Sequence, residues 1–139
     1  MRDSDTGEAA SVISVYPGVR AALLQGQRDF AAKSPGAVLD GRDIGTIICP
    51  DADAKIFVTA SAEERAKRRW LELQKSQPYL LYETVLADIR KRDERDSNRA
   101  AAPLKMADDA RLLDTTKLGI EAAFHAALGL IEAELAGRK

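Results

Sequence analysis

Apolar and polar positions alternate along this chain in a way that marks out strands and helices in turn. Val19, Leu23 and Phe30 recur at helical spacing, which predicts a helix over 19–32, entered through Pro17 and ended before Pro35-Gly36. The apolar run Ala37-Val38-Leu39-Asp40 reads as a short strand. Lys55-Ile56-Phe57-Val58-Thr59-Ala60 is the clearest strand, rich in β-branched and aromatic residues. Ser61-Ala62-Glu63-Glu64 follows it as a capping box, with the serine at the cap and Glu64 three residues on. A charged helix then runs to about Gln74, Lys75-Ser76-Gln77-Pro78 breaks it, and a second helix occupies roughly 80–94.

The segment 97–103 reads as a loop, and Ala110-Arg111-Leu112-Leu113-Asp114 as a further strand. Gly119 caps a last helix whose apolar stripe is Ile120, Phe124, Ala127, Leu128, Ile131 and Leu135. Strands alternating with helices predict a parallel sheet with helices packed on it, an α/β fold. The first ten residues are polar, which predicts a frayed end.

Composition narrows the function without choosing it. The chain has 139 residues, one domain's worth, with 45% hydrophobic and 31% charged residues. Twenty-one basic residues face 22 acidic ones, so no global field draws nucleic acid or an anionic membrane. Cys49 is the sole cysteine and sits in the apolar run Thr46-Ile47-Ile48-Cys49, which predicts an inert buried thiol. No signal peptide or membrane span is visible, and a cytoplasmic protein is the expectation. No Cys/His cluster has metal spacing, so no metal site is expected. His125, among Phe124, Ala126 and Ala127, reads as a packed or half-exposed histidine rather than a catalytic one, and Trp70 as packing its helix rather than stacking on a base.

Two segments carry chemistry. Asp40-Gly41-Arg42-Asp43-Ile44-Gly45 ends the first strand run, with glycines placed to let the backbone turn at the sheet's carboxyl edge, where open α/β folds bind ligands. Arg42 there suits phosphate, because its planar fork matches two phosphate oxygens at once; a surface turn with a salt bridge is the plainer alternative. From Glu63 to Arg99 run ten basic residues: Arg65, Lys67, Arg68, Arg69, Lys75, Arg90, Lys91, Arg92, Arg95 and Arg99. Eight acidic residues accompany them, so this is no nucleic-acid patch. Arg65, Arg68 and Arg69 share a helix face, and Arg92, Arg95, Asp96 and Arg99 follow one another on the second helix and into the loop. Two helices joined by a breakable hairpin, each striped with arginine, suit a lid over triphosphate oxygens; solvated faces and an ion-pair network have the same pattern. In Arg92-Asp93-Glu94-Arg95-Asp96-Ser97-Asn98-Arg99 the carboxylates are dense enough to hold some arginines while others face a ligand.

Taken together these segments resemble the bacterial cytidylate kinases, the CMP/dCMP kinase family of nucleoside monophosphate kinases. The resemblance spans roughly 9–135 and rests on Ser11 through Arg20, Asp40-Gly-Arg-Asp-Ile-Gly-Thr, Pro50-Asp-Ala-Asp-Ala-Lys-Ile-Phe-Val-Thr-Ala-Ser, Glu64-Arg-Ala-Lys-Arg-Arg, Arg92-Asp-Glu-Arg-Asp-Ser-Asn-Arg-Ala, Ala102-Pro-Leu, Asp108-Asp-Ala and Leu113-Asp-Thr-Thr. It implies transfer of the γ-phosphoryl group of Mg-ATP to CMP or dCMP, with ATP and Mg2+ as co-substrate. It further implies that Ser11, Arg20 and Asp43 read the cytosine ring, that Arg42 and Arg99 grip the α-phosphate, and that Arg92 and Asp96 contact the pentose. Arg65, Arg68 and Arg69 would close on the transferring phosphoryl group, in a lid of about 62–96. A monomer is expected, or a chain needing a complementing partner.

The likeness is to the carboxyl-terminal part of such an enzyme. No Gly-x-x-x-x-Gly-Lys-[Ser/Thr] occurs in the chain, so the loop whose amides and lysine hold ATP phosphates is not in this sequence. The fold implied is a P-loop nucleoside-monophosphate-kinase-like parallel sheet with flanking helices and a helical lid hairpin, incomplete because the first strands and the P-loop are absent. In the family's sheet order, 2-3-1-4-5, the strands here resemble the third, fourth and fifth. Without the first, the third and fourth would stand about 10 Å apart, twice the usual spacing. Each backbone group left buried and unpaired there costs on the order of 1–3 kcal/mol, so rearrangement or an open slot is expected. The chain alone is expected to have little kinase activity. The alternatives are a non-catalytic nucleotide-binding remnant, half of a split enzyme, or a relative reading UMP.

Overall fold

The computed structural model describes residues 9, 12–13, 16–98 and 104–137. They form two compact units: the described residues up to Asp51, with Leu104 and Lys105, and a second comprising Ala52–Asn98 and Met106 onward. The expectation for the first ten residues, and those for Ser11, Arg99 and the loop 99–103, fall almost wholly outside the described residues.

In the first unit, helix α1 spans Pro17–Ala31, with proline at its first turn where no backbone donor is needed. The chain then turns at Gly36, whose φ of 131° is a conformation few side chains tolerate. The strand expected at 37–40 does not form. Val38 is 96% exposed, and among the described residues no strand pairs with the backbone there. A single π-helical turn, Ile44–Ile48, follows instead, in which Ile48 N–H donates to Asp43 O and Cys49 N–H to Ile44 O. Arg28 ties it to α1, Nε donating to Ile48 O at 3.0 Å and Nη2 to Ile47 O at 3.1 Å. Gly41 matters by its size: a Cβ there would meet Ile44 Cγ1 at 2.8 Å.

The second unit is built on two parallel strands. Strand β1 (Ile56–Thr59) pairs with β2 (Arg111–Asp114) in the register Ile56 to Arg111 through Thr59 to Asp114. A parallel pair needs a crossover. Helices α2 (Ala62–Leu73) and α3 (Tyr82–Ser97) lie between the strands in sequence, and α4 (Ile120–Ala136) follows β2. This is the α/β arrangement expected, a partial version of the nucleoside-monophosphate-kinase-like fold with two strands in place of three.

The predicted break between the charged helices stands at 74–81, where Ser76 and Gln77 N–H donate to Leu73 O. Trp70 closes the hairpin: its Nε1 donates to Leu80 O at 2.8 Å and its ring meets Tyr82 edge-on at 6.2 Å. The α3 helix begins two residues later and runs three further than its pattern indicated. Ala60, Ala66, Val85, Ala110 and Leu113 are the buried apolar residues of this unit.

Candidate functional site

In the first unit, Asp43 is the pivot. It caps the π-helical turn, its carbonyl accepting from Ile47, Ile48 and the Thr46 hydroxyl, and its side chain is buried. Arg20, in the first turn of α1, donates to that carboxylate. The guanidinium supplies the buried carboxylate with a hydrogen-bond donor in place of water. The structure thus pairs two residues, 23 positions apart, for which the resemblance implies one site, and half-buried Arg42 precedes Asp43 directly. Ser11 lies outside the described residues.

In the second unit, Arg92 and Asp96 sit one turn apart on α3, Nε to Oδ2 at 3.9 Å. The aspartate side chain is 4% exposed and the arginine 48%, so the carboxylate is fixed and the guanidinium faces outward. Arg99 lies outside the described residues.

The three arginines of α2 go to three different partners. Arg65 Nη1 and Nη2 donate to the two oxygens of Asp93 at 2.9 and 2.6 Å, and its Nε donates to Ala60 O at 3.0 Å. Its pKa is raised above the ordinary value, chiefly by the hydrogen bonds to Asp93. Arg68 donates to Glu64, to the carbonyl and hydroxyl of Thr115, and to Leu118 O, which ties α2 to the segment after β2. Arg69 pairs with exposed Glu72 on its own helix at 2.8 Å.

Other partnerships were not foreseen from the pattern. Asp114 Oδ1 accepts from Thr116 N–H and hydroxyl, and the hydroxyl lowers the Asp114 pKa. Thr116 Oγ1 also accepts from Ser61 N–H at 2.9 Å, joining the exit of β2 to the start of α2. Glu63 is lowered by its own backbone N–H and by Arg90, which donates to it at 2.7 Å. The sequence held a signal for Asp93, in the density of carboxylates among the arginines of 92–99. It held little for Thr116, which looks like any hydroxyl at a strand end.

An open cleft of about 380 Å³ is lined by Ser61, Glu63, Glu64, Lys67, Trp70, Tyr82 and Thr116, a set that contains none of the residues the resemblance implies for the nucleotide site. Among the described residues no three His, Cys, Asp or Glu cluster to hold a metal ion, and no helix is long and apolar enough to cross a membrane.

Comparison with known proteins adds the following. A family model described as cytidylate kinase matches residues 1–133. A protein of Azorhizobium caulinodans named cytidylate kinase is 65% identical over 132 residues, covering 95% of this chain and 64% of its own length. Those of Xanthobacter autotrophicus and Methylocella silvestris, with the same name, are each 64% identical, over 138 and 132 residues. These cover 99% and 95% of this chain, and 66% and 61% of their own lengths. The chain therefore spans less than two thirds of the relatives it matches.

Proposed function

The chain belongs to the cytidylate kinase family, and from that premise we propose that residues 1–139 form part of a CMP/dCMP kinase core with its lid at about 62–96. The reaction is phosphoryl transfer: an oxygen of the CMP phosphate attacks the γ-phosphorus of ATP, the bond to the β-phosphate oxygen breaks, and CDP and ADP result. The chain's own contribution is positioning and charge, since no nucleophilic side chain is needed. Ser11, Arg20 and Asp43 orient the cytosine, Arg42 and Arg99 hold the α-phosphate, and Arg92 and Asp96 hold the pentose. The lid arginines, Arg65, Arg68 and Arg69, surround the transferring group with positive charge.

The observation that carries this reading is the pair of half-buried Arg20 with buried Asp43, beside Arg42 in the turn Asp40-Gly-Arg-Asp43. A charged pair whose carboxylate is shielded from water presents fixed donors and acceptors, which is what reading a base edge requires.

ATP phosphates and Mg2+ are held in the family by the glycine-rich loop, and no Gly-x-x-x-x-Gly-Lys-[Ser/Thr] occurs in these 139 residues. The residues present do not supply that donor set, so no step here runs through the metal. By the same observation these 139 residues bind CMP without efficient turnover, as a non-catalytic binding remnant or one half of a split enzyme would. The protein works as a monomer or with a complementing chain, in the cytoplasm, and needs neither nucleic acid nor membrane.

Calorimetric titration with CMP, dCMP and UMP, beside a coupled ATP/CMP assay, tests both parts. Binding of CMP at least about tenfold tighter than UMP is expected, one hydrogen bond's worth of discrimination. Turnover below about a tenth of an intact relative is expected as well, since the contacts to ATP phosphates are the larger electrostatic contribution. Absence of CMP binding overturns the nucleotide reading, and turnover comparable to an intact relative overturns the second part.

A further inference from the structure

We propose that Asp93, to which no role is assigned above, is a positioning residue for the pentose contacts; the inference rests on the nucleotide reading and deepens it. Arg65 is a three-point link, one donor to the carbonyl of Ala60 just after β1, and two to the carboxylate of Asp93 on α3. A bidentate guanidinium–carboxylate pair fixes orientation as well as distance, because two parallel hydrogen bonds leave the planes little freedom to turn. The link therefore sets not only how far α3 stands from β1 but how it is rotated about its own axis.

Rotation is what matters for the neighbouring side chains. Each residue advances a helix by about 100°, so a slip of one position would carry Arg92 off its face. Asp93 adjoins Arg92 and stands three residues before Asp96, close to one turn. Holding Asp93 fixes the direction in which the exposed Arg92 guanidinium and the buried Asp96 carboxylate are offered.

The other lid ion pairs lack this leverage. Arg68–Glu64 and Arg69–Glu72 each stay within one helix, and Arg90 meets Glu63 through one hydrogen bond between largely exposed side chains. Arg65, one of the lid arginines named above, thereby also holds the frame of α3 through Asp93.

Thermal unfolding and calorimetric titration of the 139-residue chain with CMP and with 2′,3′-dideoxycytidine monophosphate, which lacks the hydroxyls in question, test the proposal. Asp93→Asn should weaken CMP binding about tenfold and the dideoxy nucleotide less than about twofold, the difference being the hydroxyl contacts. Arg65→Lys, which keeps the charge and loses the fork, should give the same selective loss. Asp93→Glu should recover most of the CMP affinity. Should Asp93→Asn fail to fold, Arg65→Lys alone decides. Equal losses for both nucleotides, or no loss for either, overturn the positioning role while leaving CMP binding in place. A wild-type chain that binds no CMP is recognised before any variant is made and overturns both readings.

Discussion

Lys55 brings a positive charge to the start of β1 with its side chain only 7% exposed. Its Nζ donates to both oxygens of Asp109 at 2.9 and 2.6 Å, so the ammonium is hydrogen-bonded where hydration is lost. Asp109 itself is 58% exposed, which places the penalty for separating the pair on the lysine. Asp109→Ala should destabilise the chain by roughly 1–3 kcal/mol, read from urea unfolding followed by Trp70 fluorescence. The double variant Lys55→Met with Asp109→Ala should recover much of that loss, and no recovery would show that the pair acts otherwise than by desolvation. Asp114 makes a separate, pH-dependent contribution. The Thr116 hydroxyl holds its carboxyl below the ordinary value, so the stabilisation is present above the unfolded pKa and is lost as pH falls through the folded one. The stability gap between wild type and Asp114→Asn should therefore narrow below about pH 4, the ordinary carboxylate range. A gap that stays constant from neutral to acid in urea midpoints would refute this.

At the scale of elements, helix α2 shows how its start is secured and which part of its sequence signature acts. The Ser61 hydroxyl accepts from Glu64 N–H at 3.2 Å, the half of a capping box that satisfies the helix. The reciprocal half is absent: Glu64 pairs with Arg68 one turn along, and Ser61 N–H donates to Thr116 Oγ1 instead. Ser61→Ala should thus cost about 1 kcal/mol. In a chain of this size that lowers the thermal midpoint by roughly 3–6 °C. Glu64→Gln should leave the midpoint almost unchanged, and equal effects from both in circular dichroism would restore the full capping box. The contrast indicates what was legible. Local signals such as the serine cap, the 75–78 break and the glycine before α4 act within a few residues and were read correctly. Thr116 reaches Ser61 across 55 positions, a relation that neither spacing nor propensity encodes. The strand expected at 37–40 fails for the same reason. Its propensity is local, but a strand persists only where another supplies hydrogen-bonding partners.

For the whole molecule the same distinction governs burial. The fourth and fifth strands of the resemblance are both in this sequence and pair in parallel as β1 and β2, so that part of the fold was legible. Of the residues the resemblance implies for the site, Arg20 pairs with Asp43 and Arg92 lies one helical turn from Asp96. The apolar stripe of α4 was legible as a stripe, yet only part of it turns inward. Ala127 and Ile131 are half-buried, whereas Ile120 is 88% and Phe124 60% exposed, with Leu128 and Leu135 also exposed. Periodicity specifies which residues share a helix face but not what covers it. Among the described residues no large side chain is fully buried, so a substantial share of the apolar surface faces water. Such a chain should bind an apolar fluorescent dye under native conditions. Replacing Ile120 by Glu and Phe124 by Ser should lower that dye signal while changing stability by no more than about 0.5 kcal/mol, as at other surface positions. A large fall in stability with the dye signal intact would mean that these side chains are packed and the face is closed.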